Sequence, residues 1–252
     1  MQIINGPDVA ERTAASFAFI PVLVRALKIP GSFEYTFDSV KSMRITYAPD
    51  REFRIFTWFV NINNIAYRYY GAIQMNTTGK LKLFPLIDYT DHISKPEDTI
   101  TEAKKWYGAE YYSILPADKN GNYVLLGWKG ISDQLNSRLI DVLHFDEGKP
   151  FFGAPIFLDS LKKSDRVLFK YTRQASMMLK YLAKNNRIVF DHLSAPDPKL
   201  KGKFEFYGPD LSYDAFDFSN GIWVLHKNII LSNAGSENDQ KYIKPEKQPI
   251  VN

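Results

Sequence analysis

The sequence predicts a mainly β fold with a minor α contribution: antiparallel meander sheets in a sandwich or barrel-like arrangement, with an N-terminal helix and one mid-chain helix. Three observations carry this. Aromatic residues make up 15% of the 252, with 15 Tyr and 18 Phe, and aromatic and β-branched side chains suit a pleated, half-buried surface. Turn residues recur at hairpin distances, which favours antiparallel pairing because parallel strands need long crossovers. Helical stripes with end signals occur only twice. The length fits one β-rich domain over 1–231, followed by a polar tail, 232–252, whose composition favours an extended or disordered chain.

The first helix is expected over 8–28. Asn5 is its cap candidate and Pro7 suits its first turn, while Phe17, Ile20, Val24 and Leu27 recur at spacings of three and four. Pro21 should kink or end the first segment, and Pro30-Gly31 should stop it. The second helix is expected over 95–107. Ser94 and Glu97 have capping-box spacing, Glu97 and Asp98 suit a positive N-terminus, Lys104 and Lys105 a negative C-terminus, and Gly108 a stop.

Strands are expected over 43–47, 53–60, 65–75, 81–87, 109–115, 123–128, 138–145, 150–158, 166–172, 176–183, 187–193, 203–207, 213–218 and 222–230. Asn120-Gly121, Asp146-Glu147-Gly148, Asn185-Asn186 and Ser219-Asn220-Gly221 read as hairpin turns. The stretches RVLFKYT from Arg166 and KFEFYGP from Lys203 share a layout of basic residue, aromatic, turn and further strands. That weak repeat makes an irregular β-propeller-like fold the alternative.

Composition excludes several chemistries. Without cysteine there is no disulfide, thiolate metal site or cysteine nucleophile. The formal charge of +4 is spread along the chain, and a nucleic-acid partner is not expected because no basic stripe is formed. Arg68 among Tyr67, Tyr69 and Tyr70 reads as a solvated strand face, and Lys241, Lys244 and Lys247 as a polar tail. The apolar run from Ala14 to Val24 is too short to span a bilayer. It also makes a poor signal peptide, since Asp8 and Glu11 precede it and Arg25 ends it. For an exported protein the expectation is a signal already removed, with Met1 introduced in cloning. Nucleophile-elbow, zinc-helix, phosphate-loop and dinucleotide motifs are absent, so no catalytic residue, metal or cofactor is assigned.

Candidate site residues are polar groups on otherwise apolar strands. In RIVFDHL, period two groups His192 with Ile188 and Phe190, and Asp191 with Val189 and Leu193, so one polar group must face inward. The segment YGPDLSYDAFDF supplies Asp210, Tyr213, Asp214 and Asp217 after a Gly-Pro-Asp turn. A ligand site is expected where Asp191 and His192 meet Asp210, Tyr213 and Asp214. The reading is a non-catalytic binding module for a glycan, peptide or protein; the alternative is a hydrolase using Asp191, His192 and the Asp210–Asp217 cluster. Asp141 shares a face with Leu139 and Leu143, so it needs either an exposed strand end or a cation.

The segments WYGAEYY, LLGWKG, LIDVLHFDEGKPFFGAPIF, VFDHLSAPDPKLKGKFEFYGPDLSYDAF and NGIWVL resemble a group of exported proteins from Bacteroidetes bacteria. The resemblance covers about residues 106–226, extends more loosely over Phe53 to Gln74, and leaves out the first 40 residues. It implies a periplasmic or envelope location and no site residue.

Overall fold

In the computed structural model, which describes Ile3 and residues 6–62 and 66–231, the first element is helix α1 (Val9–Leu27). Asp8, in extended backbone, caps it by accepting the Glu11 N–H at 2.8 Å. Asn5, the expected cap, lies outside the described residues, as does the tail from 232. The helix runs on through Pro21. Leu23 and Leu27 beyond it are buried, and two buried leucines, at about 1.5–3 kcal/mol each, offset the roughly 3 kcal/mol of an interior proline.

Three mainly antiparallel sheets follow. Sheet 1 is the meander β1 (Arg44–Tyr47), β2 (Phe53–Ile62), β3 (Ala66–Met75) and β4 (Leu83–Ile87). Sheet 2 contains β5 (Thr101–Glu102), β6 (Glu110–Ile114), β7 (Tyr123–Gly130), β8 (Leu135–Asp146) and β9 (Lys149–Phe152), in the order β5-β9-β8-β7-β6. The outer edge of β8 is long enough for two partners: β9 takes 143–146 and β12 (Val167–Thr172) takes 135–140. Sheet 3 is built from β10 (Phe157–Asp159), β11 (Lys162–Ser164), β13 (Leu179–Leu182), β14 (Arg187–Ser194), β15 (Gly208–Ser219) and β16 (Ile222–Ile229). Its order is β11-β10-β16-β15-β14-β13, and β10 beside β16 is its parallel pair.

The layers stack as helix, sheet 1, sheet 2, sheet 3. Alternation along β7 shows why: Leu125 joins Phe53, Ile73 and Trp106 in the core towards sheet 1, while Val124 and Leu126 join Ile188, Phe190 and Phe216 towards sheet 3. A strand covered on both faces reads as a near-continuous apolar run, as YVLLGW does. A third core joins Leu23 and Leu27 of α1 to Phe56, Trp58 and Val60 on the outer face of sheet 1. All four expected hairpin turns join antiparallel neighbours. Glu147-Gly148 and Asn220-Gly221 both carry two successive positive φ values, the twist that matches flanking strands.

Four expectations need correction. The mid-chain helix over 95–107 does not form; the stretch holds two 3-10 turns, Pro96–Asp98 and Ala103–Lys105, around β5. Thr99-Ile100-Thr101 is a β-branched run of low helix propensity. Its neighbouring carbonyls are also taken elsewhere: Arg166 donates to the Pro96 and Thr99 carbonyls, and the Asp165 N–H to Glu97 O at 2.7 Å. Gly108 terminates no helix. Its φ of +67° brings the backbone so close to Asp88 that a Cβ would lie 2.6 Å from Oδ1.

The expected strand 150–158 is broken at Gly153, with φ +99°, into β9 and β10. The expected strand 203–207 is a 3-10 turn, Phe204–Phe206, because β15 starts earlier, pairing Gly208 with Ser194. The repeat dissolves with it: β12 joins sheet 2, whereas 203–207 form no strand and only Gly208 and Pro209 of the second stretch enter sheet 3. Stacked sheets replace the propeller alternative.

Lys129 on β7 is a buried ammonium that ties the 88–108 connection down. It donates to Thr90 Oγ1 (2.9 Å), Tyr107 O (2.8 Å) and Gly108 O (2.6 Å), between the rings of Tyr69 and Tyr107. Burial pushes it down to about 8. Its folded pKa therefore lies below the unfolded value near 10.4, so the unfolded chain binds more protons between these pH values and stability rises with pH there. We expect urea denaturation to show a rise from pH 8 to 10 that Lys129→Met lacks. Above pH 10 the trend reverses, because burial raises the pKa values of Tyr69 and Tyr111 and only the unfolded chain then ionises them. A flat wild-type profile would contradict this.

Candidate functional site

A cleft of about 340 Å³ opens where sheets 2 and 3 diverge. Its apolar wall comes from Phe157, Phe169, Phe190 and Phe216, and its polar rim from Glu97, Asp159, Lys162, Asp191, His192 and Asp214. Period two on facing strands explains the rings. Phe169 of β12 and Phe190 of β14 meet at 4.5 Å between centroids, and Phe190 and Phe216 at 5.7 Å across the β14–β15 pair.

At the rim His192 Nδ1 and Asp214 Oδ2 are 2.8 Å apart. The Asp214 side chain is 7% exposed, and its other oxygen accepts the Asn228 N–H at 2.9 Å. Both carboxylate oxygens are thus engaged, and the imidazole is held in one orientation. The His192 side chain is 34% exposed. Among the described residues nothing hydrogen-bonds its Nε2, the ring atom available to a ligand.

The contact runs diagonally across the β14–β15 pair: Phe190 faces Asp214 in register, and His192 follows two residues on, on the same face. The β14–β15 register shifts between Asp191 and Leu193, and the β15–β16 register between Tyr213 and Ala215. His192 is passed over opposite Asp210, Leu211 and Ser212, and Asp214 opposite Lys227 and Asn228. A bulge interrupts alternation and re-aims the side chain, which is why Asp191 and His192, on opposite faces by strict period two, both line the cleft.

The other expected residues divide. Asp191 lines the cleft with Oδ2 accepting the Met178 N–H at 2.7 Å, so it also ties β13 to β14. Asp210 lies outside the lining, in the stretch of β15 that leaves the β14 ladder, where Ser212 donates to Oδ1 from both backbone and hydroxyl. These bonds hold its carboxyl below the usual range, with a smaller contribution from the nearby His192. Tyr213 pairs with Asp191 and Ile229 in the sheet and does not line the cleft. Asp217 is spent on Arg187, which grips both its oxygens at 2.5 and 2.8 Å. The Asp210–Asp217 run therefore does not act as one cluster.

Glu97, Asp159 and Lys162 were not legible as site residues. They come from two segments distant in sequence, and only the packing of the 96–98 turn and the β10–β11 hairpin beside the dyad brings them together. Lys162 is paired with Asp98 at 3.0 Å, and Asp159 lies 3.6 Å from Lys227. The remaining histidines sit apart: His92 by Tyr89, His144 stacked on Phe151, and His226 near Asp217. Among the described residues no group of three His, Asp or Glu is placed to hold a metal ion, and no helix is long and apolar enough to cross a membrane.

No protein family, curated protein or solved structure matches this chain.

Proposed function

We propose that this protein is a non-catalytic binding module that takes one residue of a glycan or peptide into the cleft between sheets 2 and 3. The observation that carries this reading is the His192–Asp214 pair, held across the β14–β15 pair beside a wall of phenyl rings. An apolar concavity with a few oriented polar groups is the usual form of a small-ligand site. The acidic majority on the rim favours a ligand presenting hydroxyl or ammonium donors. Location in the cell envelope belongs to the same proposal and rests on the resemblance of residues 106–226.

The dyad also favours a second reading. A carboxylate-oriented imidazole with one nitrogen open is the arrangement of a general base, here acting on water. The two readings separate in one experiment. The ¹⁵N-labelled protein is titrated with a neutral disaccharide, an amino-sugar disaccharide and a tripeptide with central lysine. At least one probe should shift the amides of 190–193 and 214–216 saturably. His192→Ala should weaken it tenfold or more while the unfolding free energy changes by less than about 1 kcal/mol, as for a half-exposed residue. Failure of all three probes to shift the cleft amides would sink the binding proposal. Hydrolysis of a probe that is lost in His192→Ala would install the hydrolase reading instead.

A further inference from the structure

On the opposite side of the molecule, one helix is asked to cover four strands. A helix with side chains is about 10–12 Å across, whereas four strands at about 4.8 Å spacing span more than that. α1 lies over β2, where Trp58 Nε1 donates to Ser16 Oγ at 3.0 Å and Phe56 and Val60 are buried. The outer faces of β3 and β4 are left beside it. The result is a trough of about 360 Å³ between the helix and the edge strand.

Register defines its shape. Tyr70 faces Ile87, Ala72 faces Pro85 and Gln74 faces Leu83, so Tyr70, Ala72, Leu83, Pro85 and Ile87 form one surface. The other wall is the helix from Phe17 to Leu27, about 15 Å at 1.5 Å per residue. Phe17 is 59% exposed and Ile87 50% exposed; they form opposite lips. Phe17 packs edge-on to Tyr70, which stacks on Trp58.

The trough is apolar along its length and polar at one end. Arg68 lines it two residues before Tyr70, the ring that Phe17 touches. Among the described residues no carboxylate lies within ion-pair distance of Arg68. Asp88, the carboxylate on the lining, is committed: Oδ1 accepts from Thr90 N–H and Oγ1, and Oδ2 from Tyr69 N–H. Arg68 thus presents an exposed guanidinium with no ion-pair partner at one end of an apolar trough, which favours an anion there.

From this geometry we infer a second binding site: the trough takes a single alkyl chain carrying an anionic head, with the chain along α1 and β4 and the head at Arg68. Its volume falls in the range of about 300–1,000 Å³ usual for small-ligand sites, and its elongation fits one chain better than a compact ring system. A partner helix would need a far wider interface, about 800 Å² on each side.

The test uses the full chain and isothermal titration with decanoate and decyltrimethylammonium, both below their micelle concentrations. Wild type should bind decanoate saturably at one site and prefer it at least fivefold over the cation. Arg68→Gln should abolish that preference while keeping the chain contribution. Phe17→Ser, at an exposed lip where folding is little affected, should weaken both probes about tenfold with an unchanged unfolding midpoint. Absence of saturable decanoate binding, an unaltered preference in Arg68→Gln, or unaltered affinity in Phe17→Ser would each overturn the inference. So would a concentration-dependent dimer in sedimentation that Phe17→Ser dissolves, because the trough would then be covered by a second copy.

Discussion

Replacing Asp141 with alanine is expected to lower the unfolding free energy by about 3–5 kcal/mol, the range for breaking a buried ion pair from one side. Asp141 and Arg166 are both 0% exposed and meet at 3.0 Å between Nε and Oδ1. Asp141 Oδ1 also accepts the Val142 N–H, and Oδ2 the Tyr111 hydroxyl, which in turn accepts from Trp106 Nε1. Alanine would strand a guanidinium and a phenol in the core between sheets 1 and 2. Arg166 would further lose the anchor that aims it at the carbonyls of Pro96, Thr99 and Phe152, so the 96–101 segment should exchange its amides faster. Urea denaturation and hydrogen exchange check both effects. Asp141→Leu combined with Arg166→Met should lose markedly less than the two single losses added, because neither charge is then left unpaired. A loss below about 1 kcal/mol in Asp141→Ala would show that the pair is not buried as described.

Arg54 should be nearly as sensitive, and in a way that separates its shape from its charge. It is 0% exposed. Among the described residues no carboxylate touches it; its donors reach Gln74 Oε1 (2.8 Å), Tyr35 O (2.6 Å), Tyr47 Oη (2.7 Å) and Ser32 O (2.6 Å). Its guanidinium lies 4.7 Å from the centre of the Phe56 ring. Burial lowers its pKa, yet arginine stays protonated, so neutral acceptors and aromatic faces must hold the charge. Lysine keeps the charge but replaces a planar fork by three donors on one atom. Arg54→Lys is therefore expected to lose about 2–4 kcal/mol, since each buried acceptor left unpaired costs about 1–3 kcal/mol. Arg54→Lys should also loosen the 3-10 turn at Ser32–Glu34, whose carbonyl at Ser32 it holds, exposing that turn to limited proteolysis. Near-wild-type stability in Arg54→Lys would mean that the charge alone suffices.

Asp141 also shows how far sequence reasoning reaches. A carboxylate between Leu139 and Leu143 on one strand face announces that it needs a partner, but not which one. Arg166 is 25 residues away and becomes the partner only when β12 lays its first residues along β8. The mid-chain stretch failed for the same reason in reverse. Its capping signals were real as local preferences, yet Arg166 and Asp165 claimed the carbonyls that a helix would have used. At the cleft, the sequence singled out His192 and Asp214, polar residues in apolar strands. The pairing of Phe190 with Asp214 decided that His192 and Asp214 touch, and a strand register between segments 22 residues apart leaves no mark in the period-two pattern of either strand.

The sequence by itself determined the local features: the N-terminal helix, most strands, every one of the four hairpin turns, and the antiparallel sense of the sheets. Each rests on interactions among residues close in the chain, such as a cap three residues away or a glycine accepting positive φ. Only the tertiary structure decided that three sheets stack, that β8 splits its edge between two strands, and that phenyl rings, His192 and Lys162 share one cleft. Those outcomes depend on which apolar faces bury each other and which buried charges find partners. Neither is encoded at any fixed spacing, because burial is non-directional and a buried charge accepts any partner with the right geometry that the packing brings to it.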